Sequence, residues 1–278
     1  MSSYPINYKK PTKRKIEKWD DILRQSKLEL SKTVNYITTK QIKQISNEEP
    51  RLMAKIDTIE RLPSVFKQND LFILPISRKE YAIVRGKGYH TFEHITARPV
   101  TYSTAVHFPS SVQGIESENA YLEYAKSCGL LEKLTSTNNL FRTFSGRRAT
   151  LRFSFLVNNS TIEVNRAQIE IDAVFESQNP EQIFLFEAKV GTPSSFRIQQ
   201  LYYPYRTLIN RKPVRNFFCF EPKLKMYLFW EYEFNPRDKF DSIKLIRGLQ
   251  YRIKITKSLS VKDYQNVSRI DSLFDIRS

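Results

Sequence analysis

The sequence predicts a protein of the α+β or α/β class, with a helix-rich N-terminal part followed by a sheet. Apolar residues recur at helical spacing between Ile16 and Leu62, whereas later segments alternate apolar and polar residues as strands do. Hydrophobic residues make up 40% of the 278 residues, enough for a sizeable core. We expect a basic flexible arm over 1–15, an N-terminal domain over 16–110 and a second domain over 111–278.

The charge balance points to a polyanionic partner. The chain has 45 Lys and Arg against 29 Asp and Glu, a formal net charge of +16. Such a surplus favours nucleic acid, while a membrane surface and a merely solvated basic surface are the alternatives. No window approaches the roughly 18 apolar residues of a membrane span. Cys128 and Cys219 lie in apolar surroundings, as in reduced cytosolic proteins.

The N-terminal third predicts short helices followed by a hairpin. Apolar spacing indicates helices over Ile16–Asn35, over Thr39–Ile45 and from Pro50 to Leu62. Two apolar runs, Leu71–Ile76 and Tyr81–Val84, then read as paired strands. Helix, turn, helix and a two-stranded wing is the order of a winged-helix module, whose second helix would enter a major groove. Many other small α+β domains share this order.

Basic side chains in this third suit contacts to DNA phosphates. Lys55 belongs to the candidate helix, and Arg78 and Lys79 belong to the turn of the predicted wing. Phosphate contacts of this kind position a protein on DNA without reading its sequence. The alternative is an ordinary solvated face.

Residues 96–115 contain Pro99, Pro109 and several Ser and Thr, so this segment is predicted to be a linker between the two domains.

Ser117 can cap a helix that runs from Glu118 to about Lys133. In the first turn, Glu118 would neutralise the helix dipole, or it would supply a further acid beside the sheet.

The segment FRTFSGRRATLR predicts a substrate-binding loop. Arg142, Arg147 and Arg148 interleave with Phe141 and Phe144 in this segment. Arginine forks bind phosphates or the major-groove edge of guanine. A basic strand pair on the surface is the alternative.

The hairpin predicted over Gln168–Val190 carries the most informative residues. Its turn at Asn179 and Pro180 lies midway between Asp172 and Glu187, so these carboxylates should face each other. Opposed like charges destabilise a sheet, which predicts a cation between them. Alternation puts Glu170 and Asp172 on one face and Ile169, Ile171 and Ala173 on the other. In the second strand Ile183, Leu185, Glu187 and Lys189 share a face.

A helix is predicted after this hairpin. Ser194 can cap it, and it would run to about Asn210, with Pro204 kinking or dividing it. It carries Gln200, and Arg197 and Arg206 could contact the DNA backbone. Apolar strands follow over 216–220, 226–234, 243–245 and 251–255.

Asp172 followed by Glu187-Ala188-Lys189 is a D…ExK arrangement, and at this point the chain resembles the PD-(D/E)XK nuclease superfamily. The closer resemblance is to type II restriction endonucleases. The helix FRIQQLYYPYR is similar to the Gln-bearing helix after the lysine, and SENAYLEYAKSCGLL is similar to the first core helix. The resemblance covers about 115–235. One departure is that Ile171, not proline, precedes Asp172.

This resemblance implies a restriction-endonuclease-like core, with a mixed central β-sheet flanked by helices. It implies that Asp172 and Glu187 are Mg²⁺ ligands, with Glu118 as a third acid. Lys189 would orient or help to deprotonate the attacking water, and Gln200 would support the site. An ordinary salt bridge at a strand end is the structural alternative.

We therefore expect a Mg²⁺-dependent endonuclease for double-stranded DNA, most similar to a type II restriction endonuclease. A homodimer in the cytoplasm of a bacterium or archaeon is expected, because cutting both strands needs two sites. A structure-specific repair or junction nuclease is one alternative. A non-catalytic winged-helix DNA-binding protein is another, and an RNA target stays open.

Overall fold

The computed structural model describes residues 13–107, 117–178, 181–191, 193–211, 213–221 and 226–256, with side chains from residue 17 onward except at 218–221. The predicted arm, apart from residues 13–15, lies outside the described residues, and so do Asn179, Pro180 and the C-terminal tail. The side chain of Cys219 also lies outside them, whereas Cys128 is buried as expected. In the part described, no helix combines the length and apolar character needed to cross a membrane.

The N-terminal unit consists of short helices around a small antiparallel sheet. Its elements are α1 (Lys13–Gln25), β1 (Val34–Thr38), α2 (Thr39–Ser46), α3 (Pro50–Ala54), a 3-10 turn (Ile59–Arg61), α4 (Ser64–Gln68), β2 (Leu71–Pro75) and β3 (Glu80–Arg85). The predicted hairpin is confirmed, because β2 and β3 pair antiparallel. Among the described residues the strand order of this small sheet is β1-β3-β2.

Two helix predictions in this unit are wrong in extent. The helix predicted to Asn35 ends at Gln25, and β1 then pairs with β3. Its sequence VNYIT is rich in β-branched and aromatic residues, which favour strands. The helix predicted from Pro50 to Leu62 stops at Ala54, because the Ile56 amide bonds to the Ala54 carbonyl and leaves the helical ladder.

The rest of the described chain supplies the main sheet and its covering helices. Its elements are β4 (Tyr89–Thr91), β5 (Val100–Thr104), α5 (Glu118–Ser127), α6 (Leu130–Thr135), β6 (Phe141–Ala149), β7 (Phe153–Val157), β8 (Ser160–Val164), β9 (Gln168–Gln178), β10 (Glu181–Val190), β11 (Ser195–Arg197), α7 (Gln199–Leu208), β12 (Val214–Glu221), β13 (Met226–Phe234) and β14 (Ile243–Ile255).

The main sheet is mixed. Among the described residues its order is β5-β14-β13-β12-β10-β9-β6. β9 and β10 are antiparallel, whereas α7 crosses between β10 and β12, which are parallel. The linker predicted over 96–115 contains β5, which pairs with β14 and so belongs to this sheet. The predicted loop FRTFSGRRATLR mostly forms β6, an edge strand beside β9.

Each face of the main sheet is covered by a different layer. α5 and α6 pack on the face that carries Phe184 and Phe186. α7, the β7–β8 hairpin and the N-terminal unit pack on the face that carries Ile183 and Leu185. The predicted alternation of β10 is confirmed. One continuous core on this second face joins the N-terminal unit to the main sheet.

Two further helices differ from the prediction, one ending earlier and the other beginning later. Glycine at 129 has φ +78°, so the helix that begins at Glu118 ends at Ser127 and α6 starts after Gly129. The helix predicted from Ser194 begins at Gln199, because Ser195–Arg197 pair with β4 instead. Pro204 lies inside α7 without dividing it, since the neighbouring buried side chains pack on the sheet.

Candidate functional site

The β9–β10 hairpin places Asp172 and Glu187 at one end of its ladder. Its register runs from Glu181 opposite Gln178 to Phe186 opposite Ala173. The next positions along this register would be Glu187 and Asp172, directly beyond the last pair of the ladder, so their direct facing stays a prediction. Beyond Ala173 the ladder changes, because the Ala188 amide donates to Asp172 Oδ2 at 2.8 Å.

A β-bulge reorients β9 at Asp172. The pairing of β9 with β6 shifts register, with Phe144 opposite Val174 but Gly146 opposite Ile171. Ile171 packs in the core under α7, whereas Ala173 packs in the core under α5. The prediction that Ile171 and Ala173 share a face is therefore wrong. Bulges of this kind often redirect a side chain beside a functional site.

The Lys189 ammonium lies within 4 Å of three carboxylates at this end of the hairpin. Its Nζ lies 2.8 Å from Glu187 Oε1, 3.2 Å from Glu118 Oε1 and 3.8 Å from Asp172 Oδ2. Nζ also donates to the Ala188 carbonyl at 2.7 Å. We name Glu118, Asp172, Glu187 and Lys189 the acid–lysine cluster. Its formal charge is −2 with all its groups ionised, because one ammonium faces three carboxylates.

Glu118 joins the cluster from the first turn of α5. Ser117 caps this helix, since its Oγ accepts from the Ala120 amide at 3.1 Å, as predicted. The contact of Glu118 with Lys189 gives it a specific partner in addition to any effect on the helix dipole.

Gln200 supports Glu187 from the first turn of α7. Its Nε2 donates to Glu187 Oε1 at 2.6 Å. The Arg197 amide donates to Gln200 Oε1 at 3.3 Å, which turns the NH₂ group toward the carboxylate. The structure thus brings together Asp172, Glu187, Lys189, Glu118 and Gln200, the residues that the resemblance implies for the site.

Burial and mutual repulsion control the protonation of the cluster. Burial, followed by the charge of Asp172, raises the pKa of Glu187 well above its ordinary value, although Lys189 opposes this. Burial also raises the pKa of Glu118. Burial lowers the pKa of Lys189, but the charges of Glu187, Asp172 and Glu118 outweigh it, and the net direction is upward. Lys189 is therefore an ammonium in this arrangement.

Arg142 binds the backbone carbonyl of Asp172. Its Nη2 donates to the Asp172 carbonyl at 2.9 Å and to Asn119 Oδ1 at 3.4 Å, and its guanidinium pairs with Glu123. Its side chain is 26% exposed and lies over the Phe175 ring. These internal contacts give Arg142 a positioning role, since they link α5 to the strand that carries Asp172, and its contact with DNA stays a prediction.

A cleft of about 910 Å³ opens over the cluster between the N-terminal unit and the main sheet. Its lining includes Glu118, Asp172, Glu187, Lys189 and Gln200. Five of the basic residues predicted to bind DNA also line it, namely Lys55, Arg78, Arg147, Arg148 and Arg197. Around the acidic cluster the walls of the cleft are therefore rich in positive charge.

Two other predicted residues lie away from this cleft. Arg206 stacks on Phe153 and Tyr202 and bonds to the Arg237 carbonyl, which indicates packing at the outer side of α7. Lys79 is exposed in the β2–β3 turn and does not line the cleft.

The sequence pattern assigned no role to Arg51 or Glu170, which do line the cleft. Their contact joins residues far apart in the chain, so no local pattern signals it.

Among the described residues, no group of three or more His, Cys, Asp or Glu is arranged as a ready metal site. In the acid–lysine cluster, an ammonium lies where the carboxylates converge. Fold and site together define an α+β protein with a partly buried acid–lysine cluster under a basic cleft.

The chain belongs to the family described as a domain of unknown function, DUF6997, whose model matches residues 84–252. A second domain of unknown function, DUF6996, matches residues 16–83. The acid–lysine cluster lies wholly within the first match, and the boundary between the matches falls inside β3. No curated protein and no solved structure matches the chain.

Proposed function

We propose that this protein is a Mg²⁺-dependent endonuclease that hydrolyses phosphodiester bonds of double-stranded DNA. Within that class we propose a type II restriction endonuclease of the PD-(D/E)XK superfamily. The observation that carries the proposal is the convergence of Glu118, Asp172 and Glu187 on Lys189 Nζ, each within 4 Å.

The surrounding topology supports this proposal. Asp172 lies on β9, Glu187 and Lys189 lie on the antiparallel β10, and α7 returns the chain to the parallel β12. Helix, strands, helix and strand in this order are what the resemblance implies for a nuclease core. Gln200 adds a further match, since it contacts Glu187 from the helix that follows the lysine.

The donor set suits magnesium. Carboxylate oxygens are the protein ligands that Mg²⁺ prefers, and Asp172, Glu187 and Glu118 would hold the ion. The formal charge of −2 on the cluster matches a divalent cation. Burial and then the charge of Asp172 raise the pKa of Glu187, and a bound cation would favour the ionised carboxylate against both. When bound, Mg²⁺ neutralises charge on the phosphate and acidifies a bound water. The ammonium of Lys189 must then move from its present place among the acids.

The residues of the chain have separate parts in this reaction. Lys189 would orient the attacking water or bind a non-bridging phosphate oxygen, and its positive charge would stabilise the charge that builds during attack. Gln200 would hold Glu187 in orientation, and Arg142 would hold Asp172. Arg147, Arg148 and Arg197 would bind the flanking backbone from the walls of the cleft.

The N-terminal unit would serve recognition. Its order of short helices followed by the β2–β3 hairpin agrees with a winged helix, and Lys55 and Arg78 line the cleft from this unit.

The proposal includes a location in the cytoplasm of a bacterium or archaeon. Cutting both strands would require two copies, so the proposal includes a homodimer, which light scattering with and without DNA can test.

The direct experiment is incubation with phage and plasmid DNA in several methylation states, with Mg²⁺ or with EDTA, followed by mapping of the ends. Asp172→Asn and Lys189→Ala are the test variants. Asp21→Asn is the matched control, because Asp21 pairs with Arg24 on α1 and does not line the cleft. We expect defined fragments with Mg²⁺ for the parent and the control, and none for the test variants.

Other outcomes separate the alternatives. A preference for branched DNA without defined fragments would favour a repair or junction nuclease. DNA binding without cleavage in every methylation state would favour a non-catalytic DNA-binding protein. Cleavage that survives Asp172→Asn and Lys189→Ala would remove the acid–lysine cluster from the mechanism and overturn the proposal.

A further inference from the structure

Glu170 is held between two arginines that come from different parts of the molecule. Its Oε2 lies 3.2 Å from Arg51 Nη2, and its Oε1 lies 3.7 Å from Arg147 Nε. Arg51 belongs to α3 of the N-terminal unit, and Arg147 belongs to β6 of the main sheet. One carboxylate therefore bridges the two walls of the cleft.

This bridge lies next to the acid–lysine cluster. Glu170 precedes Asp172 by two residues on β9, and both line the same cleft with Arg51 and Arg147. Two residues of a strand span roughly 7 Å. Consecutive phosphates of a nucleic-acid strand are separated by a similar order of distance, because successive nucleotides rise about 3.4 Å along the axis and wind around it.

We propose that Arg51 and Arg147 form a binding subsite for the DNA phosphate next to the scissile one, and that Glu170 occupies this subsite until DNA displaces it. The inference rests on the proposed function, because it takes the acid–lysine cluster as the place of cleavage. Two guanidinium groups that converge on one carboxylate present the donors that also suit a phosphate.

Displacement of Glu170 from the two arginines costs little free energy. The side chains of Arg51, Glu170 and Arg147 are 42%, 49% and 59% exposed. Exposed ion pairs of this kind contribute little to stability. A DNA phosphate that replaces the Glu170 carboxylate between the arginines also releases counterions from the DNA, which the carboxylate cannot do.

The test measures equilibrium binding of a labelled random-sequence duplex without divalent metal, over a series of salt concentrations. In the double variant Arg51→Gln/Arg147→Gln the subsite loses one phosphate, so we expect the slope of log K against log salt to fall by about 0.9. Glu170→Gln removes the competing charge, so we expect binding about two- to fivefold tighter than the parent, the range set by an exposed ion pair.

Arg24→Gln and Asp21→Asn are the matched controls, because this exposed pair lies on α1 and outside the cleft lining. We expect both to bind like the parent. Weaker binding by Glu170→Gln would overturn the inference, since it would make Glu170 a bridge that holds the binding surface together. An unchanged salt slope in the double arginine variant would also overturn it.

Cleavage assays on the same variants separate this inference from the proposed function. With Mg²⁺ we expect the double arginine variant to raise KM while kcat stays within a factor of about two, because remote phosphate contacts act on binding. If the parent cleaves DNA and Asp172→Asn does not, the proposed function stands whatever the arginine variants show. If the parent never cleaves but the salt slope still falls, only the proposed function fails.

Discussion

Two buried glutamates of the main sheet, Glu187 and Glu231, have opposite electrostatic surroundings. They are 6% and 4% exposed. Glu231 accepts hydrogen bonds from Arg215 at 2.5 and 2.7 Å and from Arg247 at 2.6 Å. Burial would raise the pKa of Glu231, but these hydrogen bonds bring it below its ordinary value. Glu187 instead shares one lysine with Asp172 and Glu118, and its pKa is raised.

The difference separates two kinds of buried acid. Two arginines compensate the charge of Glu231, whereas Glu187 shares a single lysine with two other carboxylates. Arg215 and Arg247 also donate to the carbonyls of Thr135 and Leu134, so Glu231 anchors the end of α6 to the sheet. Buried charges are normally paired in this way. Buried groups with strongly perturbed pKa values, such as Glu187, are typical of functional sites.

The largest expected effect is on catalysis. Glu187→Gln should reduce Mg²⁺-dependent cleavage at least about 100-fold, because metal-ion stabilisation of the transition state contributes several kcal/mol. The measurement is single-turnover cleavage of plasmid DNA at a temperature where both proteins are folded. Glu231→Gln is the matched control and should keep the parent rate, and an equal loss in both variants would contradict the comparison.

The next effect is on stability. Glu231→Gln should lower the free energy of unfolding by about 3 kcal/mol, because it leaves two partly buried arginines without their carboxylate. Urea denaturation followed by circular dichroism measures this change. Glu187→Gln, measured beside it at neutral pH without divalent metal, should show no comparable loss. A larger loss in Glu187→Gln would mean that this glutamate is the structural one.

A smaller effect is expected from Arg142, which holds the Asp172 carbonyl. Arg142→Gln should weaken metal affinity or lower kcat by about 10- to 100-fold, as loss of a group that orients a ligand does. Binding of duplex DNA without metal should stay unchanged, because Arg142 does not line the cleft. Calorimetric titration with Mg²⁺ and duplex-binding assays measure the two quantities. A loss of DNA binding alone would return Arg142 to the role of a DNA contact.

The smallest effect is a pair of opposite pH dependences. The raised pKa of Glu187 means that its contribution to stability is present below the unfolded pKa and is lost as pH rises through the folded pKa. The lowered pKa of Glu231 means that its contribution is present above the unfolded pKa and is lost as pH falls through the folded pKa.

Melting temperatures of Glu187→Gln, Glu231→Gln and the parent between about pH 4 and pH 8 compare these contributions. Relative to the parent, Glu187→Gln should gain stability as the pH rises, whereas Glu231→Gln should lose it. Slopes of the same sign would show that the two acids are not opposed.

Much of the site follows from local sequence pattern. Equal spacing about residues 179 and 180 predicts Glu187 opposite Asp172, and these are the positions directly beyond the last pair of the ladder, Phe186 and Ala173. Alternation predicts that Glu187 and Lys189 share a face with Ile183 and Leu185, and the two apolar residues pack in one core. The bulge at Asp172 could not be predicted, because it depends on how β6 pairs with β9.

The sequence by itself determined the hairpin, the capped start of α5 and the position of Asp172, Glu187 and Lys189 near one end of the hairpin. These depend on strand periodicity, on a Ser cap and on spacing within about 20 residues of chain, which local interactions control. Tertiary structure alone decided that Arg142 supports Asp172, that β5 joins the main sheet and that Arg51 reaches Glu170. Those contacts join distant segments, and only packing of the whole core brings such segments together.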